Sequence, residues 1–259
     1  MRFIICILVA LGLATSIAAS ADAHVPQGGK PRTGGAGVSV LTHVADARRT
    51  TPAAYTMPGQ PEKPATDDGS PARTVIAFAG QGVLHILDGI DHVFLVVCLA
   101  LGIGARKRLV WIVTAFTLGH SATLIATFLG ATPAWPWFIP AVETAIAATV
   151  FYAAAAAYLR KMDSIAVIAG VGLLHGLGFS FVLGDILGRD SPDLIPALAA
   201  FNIGIEIGQL IVIAATLAAV AVVTRLSDTA TPVLRNAALA GIATMSAWWV
   251  IERSADLLA

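Results

Sequence analysis

From residue 74 onward the chain is a succession of apolar runs of about twenty residues, broken by short polar connections. A run of that length crosses the ~30 Å hydrocarbon core of a bilayer as one α-helix. Lipid offers no water to the backbone, so each run must satisfy its own amides, which a helix does. Composition agrees: 57% of the 259 residues are hydrophobic and 12% are charged, where soluble chains carry about a quarter. Lys+Arg and Asp+Glu number 16 each, which leaves no basic surplus for nucleic acid. Cys6 and Cys98 both fall in apolar segments, so neither a disulfide framework nor a cysteine zinc site is expected. No Gly-rich loop ending in Lys-Ser/Thr is present, which excludes ATP use by that route. The fold class expected is an all-α membrane protein, a polytopic bundle of six transmembrane helices.

Residues 1–23 have the parts of a cleavable signal peptide: Arg2, an apolar stretch from Phe3, and the small-residue exit Ala21-Asp22-Ala23. Residues 24–73 hold seven Pro and seven Gly without helical or strand periodicity. Such a stretch cannot bury enough apolar surface to offset its ordering entropy, and it reads as a disordered exported tail. His24 and His43 in it read as incidental. Residues 74–259 form the membrane domain, with spans expected at 75–104, 108–129, 137–159, 164–187, 194–224 and 233–251. The first is long and holds Gly82 and Gly89, so one tilted helix and a broken helix both remain open.

Positive residues mark the cytoplasmic side of a membrane. Arg106-Lys107-Arg108, Arg160-Lys161 and the Arg225–Arg235 loop alternate with connections that carry no positive charge or only Arg189. The tail and the C-terminus are therefore expected in the periplasm of a bacterial inner-membrane protein. Trp135 and Trp137 at one face, with Trp111 and Tyr158 at the other, suit aromatic interface belts.

Four histidines (His85, His92, His120, His175) and four acids (Asp88, Asp91, Glu143, Glu206) fall inside these spans. Four carboxylates at membrane depth cost on the order of 10 kcal/mol on insertion scales, and almost no Lys or Arg lies there to neutralise them. A divalent cation does so. On one continuous helix His85, Asp88 and His92 share a face, with Asp91 further round. Thr117, His120 and Ser121 share another, and Asn202, Glu206 and Gln209 a third. His120, His175 and Glu206 lie near mid-span, His85 and Glu143 nearer the outer face, which outlines a polar track opening outward. Imidazole plus carboxylate suits Ni, Co, Zn or Cu(II) and lacks the soft sulfur that selects Cu(I). Asp91 reads as ligand or as the orienter of the His92 ring. A lone transmembrane His or Asn is as readily a helix–helix hydrogen bond, but isolated hydrogen bonds need no carboxylates. Asp185, Asp190 and Asp193 read as solvated loop-end charges, and the Gly172/Gly176 and Gly204/Gly208 pairs as close-packing contacts.

The stretch from Gly82 to His92, with its H-x5-D-H spacing, resembles the HupE/UreJ family of nickel/cobalt permeases. So do Thr114 to Ser121, Val142-Glu143, Leu174 to Phe179, and Phe201 to Gln209. The likeness covers about residues 75–215, one motif per span. Only His175 stands where the hydrogenase-linked members carry several histidines, so the chain looks closer to a second branch. The resemblance implies a signal peptide, six spans and uptake of Ni2+ or Co2+ as substrate, in support of urease or hydrogenase, with no permanently bound cofactor. His85, Asp88, Asp91, His92, His120, Glu143, His175 and Glu206 are the metal residues expected, with Thr117, Ser121, Asn202 and Gln209 as polar support.

Two other functions compete. An intramembrane hydrolase holding zinc with three histidines has the right donors, but the chain lacks H-E-x-x-H and any histidine pair at i, i+4, and Ser180 lacks a G-x-S-x-G setting. No catalytic residue is therefore assigned. A metal sensor or delivery protein without transport is the third reading.

Overall fold

A glycine decides where the first long apolar segment breaks. The computed structural model describes residues 71–128, 133, 135–162, 164–187 and 194–258. Helix α1 (Pro71–Asp88) stops at Gly89 and α2 (Ile90–Ile103) starts directly after it, with a bend of 77° between them. Gly89 is extended at φ −75°, ψ 94°, a conformation open to any residue. What excludes a side chain is space: a Cβ there would lie 2.7 Å from Nδ1 of His92 and 2.8 Å from the His85 carbonyl oxygen. Hydrogen bonds continue across the break, from Gly89 N–H to His85 O and from Val93 N–H to Gly89 O. The expected segment 75–104 is thus a broken pair.

Helix α2 ends at Gly104, whose φ of 73° lies in the left-handed region and whose N–H returns to Ala100 O, the usual glycine stop of a helix. Five further helices follow: α3 (Lys107–Phe128), α4 (Phe138–Tyr158), α5 (Ile165–Leu187), α6 (Leu194–Leu226) and α7 (Ala230–Leu258). Among the described residues every regular element is a helix. Helices α3, α4 and α6 are long and apolar enough to cross a membrane, and the bent α1–α2 pair, a broken span or a re-entrant loop by its shape, makes a fourth candidate if the two helices are taken as one span. In α5 the apolar stretch is the shorter Ile165–Gly178. The signal peptide expected at 1–23 and nearly all of the tail at 24–73 lie outside the described residues; Pro71, Ala72 and Arg73 already belong to α1.

The apolar surface is turned outward as much as inward. Leu118 in mid-α3 is 66% exposed and Ile203 in α6 59% exposed, a pattern that suits hydrocarbon rather than water. The most extensive helix contacts are α3 with α5, α1 with α6, and α4 with α7. Helix α2 supplies much of the interior, burying Phe94, Leu95, Val96, Cys98, Leu99 and Ala100. Two pairs close backbone to backbone at glycines. A Cβ on Gly119 or Gly172 would strike a carbonyl oxygen of the partner helix at 2.2 Å, and one on Gly204 would strike Ala79 O at 2.0 Å. Small residues in these places let dispersion and polar contacts hold helices together where lipid supplies no hydrophobic drive.

Arg235 in the first turns of α7 ties three helices at one end. Its Nε donates to Leu101 O at the end of α2, at 3.0 Å, and its Nη2 donates to Ala157 O near the end of α4. At the other end of α7, Arg253 donates to the Glu143 carbonyl oxygen of α4 and lies over the Trp249 ring.

Candidate metal site

The break at Gly89 places the start of α2 beside the last turn of α1, so that His85 and His92 face each other with ring centroids 4.7 Å apart. His120 joins from α3, its ring 5.5 Å from His85 and 5.8 Å from His92. One ligand atom from each of these three histidines falls within 4.8 Å of the other two. His175 on α5 completes the cluster, 5.0 Å from the His92 ring. Four helices therefore each contribute one imidazole, and His92 touches the other three.

The cluster is dry. His92, His120 and His175 are buried, His120 completely. Nε2 of His92, both ring nitrogens of His120 and Nε2 of His175 have no hydrogen-bond partner among the described residues. A buried polar atom left unpaired costs about 1–3 kcal/mol, so four of them around one point amount to a substantial penalty that a bound cation would relieve. The neighbouring nitrogens are fixed: Nδ1 of His175 is 2.9 Å from Val171 O, and Nδ1 of His92 is 2.9 Å from Oδ1 of Asp91. Those contacts suit a proton on Nδ1 and a lone pair on Nε2, the state a metal needs. Phe116 closes one side of the cluster, with its ring 5.4 to 6.2 Å from those of His92, His120 and His175.

The carboxylates expected from the sequence are distributed differently. Asp91 also accepts the His92 backbone N–H at 2.8 Å, so one oxygen holds both ends of its neighbour. Asp88 is exposed at the end of α1. The shared face of His85, Asp88 and His92 expected on a continuous helix is not formed, because the helix turns at Gly89 before reaching His92. Glu143 is half-buried on α4, and Glu206 half-buried on α6. Asp88, Glu143 and Glu206 all lie outside the three-histidine grouping.

Glu206 belongs to a polar seam between α3 and α6. Thr114 donates to its Oε1 at 2.7 Å, Thr117 to Oε1 of Gln209 at 2.8 Å, and Ser121 to Oδ1 of Asn202 at 2.6 Å. The four residues expected as polar support are all here, joining helices. Sequence reasoning passed over Thr114, although its place at i, i+3 and i+7 with Thr117 and Ser121 put it on the same face.

A bundle of apolar helices that gathers four imidazoles at one place is a multi-pass membrane protein with the donors for a transition-metal ion. A family model described as HupE / UreJ protein matches residues 62–253, well over half of the chain. The chain belongs to the HupE / UreJ family, and membership suggests metal transport. No curated protein and no solved structure gives a significant match.

Proposed function

We propose that this chain is a secondary permease that takes up divalent transition-metal cations, Ni2+ first and Co2+ second, across the bacterial inner membrane. The observation that carries the reading is the cluster of His85, His92, His120 and His175 on four different helices, three of them with a ligand atom within 4.8 Å of one another, and with unpaired nitrogens on the buried His92, His120 and His175. In this reading those imidazoles hold the ion in passage and Asp91 orients His92. Asp88, Glu143 and Glu206 are acidic residues of its approach and exit. A transport site must bind well enough to capture and weakly enough to release, which suits imidazoles supplied by separate helices. The membrane potential favours entry of a divalent cation by about 4.6 kcal/mol per 100 mV, twice the single-charge value.

The proposal includes six spans (α1–α2 together, then α3 to α7), a cleaved signal peptide, and a periplasmic tail and C-terminus. Delivery to urease or hydrogenase maturation is the expected use of the metal. Three imidazoles within reach of one ion are also what a fixed zinc site requires, and that favours the hydrolase as second reading. Radiolabelled nickel uptake, with cobalt and zinc as competitors, separates the two in cells lacking their own nickel importers. Uptake above empty-vector cells that is lost in His92→Ala and His120→Ala is expected. No uptake of any of the three metals at verified membrane expression refutes the permease, and stoichiometric, non-exchanging zinc in the purified protein points to the hydrolase.

A further inference from the structure

Helices α1 and α5 carry the same local sequence. Ala79-Gly80-Gln81-Gly82-Val83-Leu84-His85 returns ninety residues later as Ala169-Gly170-Val171-Gly172-Leu173-Leu174-His175, with five of seven residues identical. A shorter echo joins α3 and α6: Phe116-Thr117-Leu118-Gly119 against Phe201-Asn202-Ile203-Gly204.

The structure uses the copies alike. A Cβ on Gly82 would lie 2.1 Å from Phe201 O, and one on the matching Gly172 would lie 2.2 Å from the matching Phe116 O. A Cβ on Gly204 would meet Ala79 O at 2.0 Å, and one on Gly119 would meet Ala169 O at 2.2 Å. The His85 ring is 5.6 Å from Phe201, and the His175 ring is 5.4 Å from Phe116. The contact of α1 with α6 is therefore repeated as that of α5 with α3. The third extensive pair, α4 with α7, again takes one helix from each half.

Direction follows from the same contacts. Gly172 meets Phe116 O and Gly176, one turn on, meets His120 O; Gly204 meets Ala79 O and Gly208, one turn on, meets Val83 O. Within each pair the helices run parallel. Helices α5 and α6 are joined by only six residues, so they run antiparallel, and the two pairs point opposite ways. Two halves related in this manner are inverted repeats about an axis in the membrane plane, an arrangement whose substrate sites lie at the repeat interface.

We propose that residues 71–158 and 165–258 are inverted three-span repeats, and that the divalent cation at the histidine cluster is reached alternately from the two faces as the bend at Gly89 is exchanged for one at Gly178. His85 and His175 are the counterpart ligands, one from each repeat. The positions matching Asp91, His92 and His120 are Phe181, Val182 and Ile205, so the repeats share one central site. The halves differ where an exchanging structure must: the first is bent by 77° at Gly89, whereas α5 runs on as one helix to Leu187. Gly178 stands one residue before the position that matches Gly89 and is the place for the reciprocal bend.

The exchange rests on the permease reading, whereas the repeat does not, and two arms keep them apart. The first labels Arg73→Cys and Ser164→Cys, at the starts of α1 and α5, with a membrane-impermeant maleimide in sealed vesicles of one orientation. Cys6 is replaced by Ala, and Cys98 is buried. Labelling from opposite faces is expected; labelling of both from one face overturns the repeat. The second arm is Gly178→Ala, whose new Cβ would meet only Cδ1 of Ile146 at 3.1 Å, the end of a flexible side chain. The present state tolerates that methyl group, while alanine stiffens the helix. Nickel affinity within twofold of wild type with uptake at least fivefold lower is expected. Wild-type uptake in Gly178→Ala overturns the exchange, and a wild type without uptake overturns it together with the permease while the labelling still decides the repeat.

Discussion

Asp91→Asn isolates the one carboxylate that the structure attaches to the histidine cluster. Oδ1 of Asp91 accepts the His92 backbone N–H at 2.8 Å and lies 2.9 Å from its Nδ1. With the proton on Nδ1 the Nε2 lone pair is left for metal. Asparagine keeps the volume and an acceptor but loses the charge, and its amide can turn to donate to Nδ1, which puts the proton on Nε2 and blocks ligation. A hydrogen bond to a charged group contributes about 1.5–3 kcal/mol, against about 1 for a neutral one, so the loss is about 0.5–2 kcal/mol for the ring contact alone. Removing the orienting partner of a ligating histidine typically lowers metal affinity about 10–100-fold, or about 1.4–2.8 kcal/mol at about 1.4 kcal/mol per decade. The expected result is thus a loss of about tenfold or more in nickel affinity, read by chelator competition on the detergent-purified full chain, with metal-free thermal unfolding as the control for folding. His92→Ala, which removes the imidazole itself, should lose more. An Asp91→Asn protein that folds like wild type and binds nickel within twofold of it would refute the orienting role.

Three further outcomes follow from the same geometry. Asp88→Asn should leave nickel affinity within about twofold, because Asp88 is exposed and outside the three-histidine grouping; a tenfold loss in the same titration would return it to the ligand set. Gly204→Val should prevent stable folding, since even a Cβ there lies 2.0 Å from Ala79 O, whereas Gly241→Ala meets nothing within 4 Å and should stay within about 0.5 kcal/mol of wild type; size-exclusion profiles and thermal unfolding compare them. Arg235→Ala removes the guanidinium donor from Leu101 O and from Ala157 O, the latter keeping the Arg160 N–H, and should cost about 1–3 kcal/mol of stability without changing nickel affinity, checked by thermal unfolding and titration of one preparation.

Local chemistry determined a good part of this protein. Hydropathy along the chain located α3 to α6 to within two or three residues, because a bilayer demands an apolar run of fixed length wherever the chain crosses it. The same demand made every ionisable group at that depth conspicuous, so His85, His92, His120 and His175 stood out in the sequence together with Asp88, Asp91, Glu143 and Glu206. Tertiary structure decided what depends on how helices are turned and how closely they approach. The bend at Gly89 separated Asp88 from His92 and left Asp91 as its partner; periodicity assumes a straight helix and cannot register that. Glu206 went to Thr114 rather than to the histidines because glycine contacts at Gly82, Gly204 and Gly208 set the approach of α6 to α1 and thereby which face α6 turns to α3. The repeat of Gly82-x2-His85 at Gly172-x2-His175 was written in the chain throughout. It acquired meaning only when both glycines were found pressed against equivalent carbonyls, since helix pairing is a long-range choice that no single segment encodes.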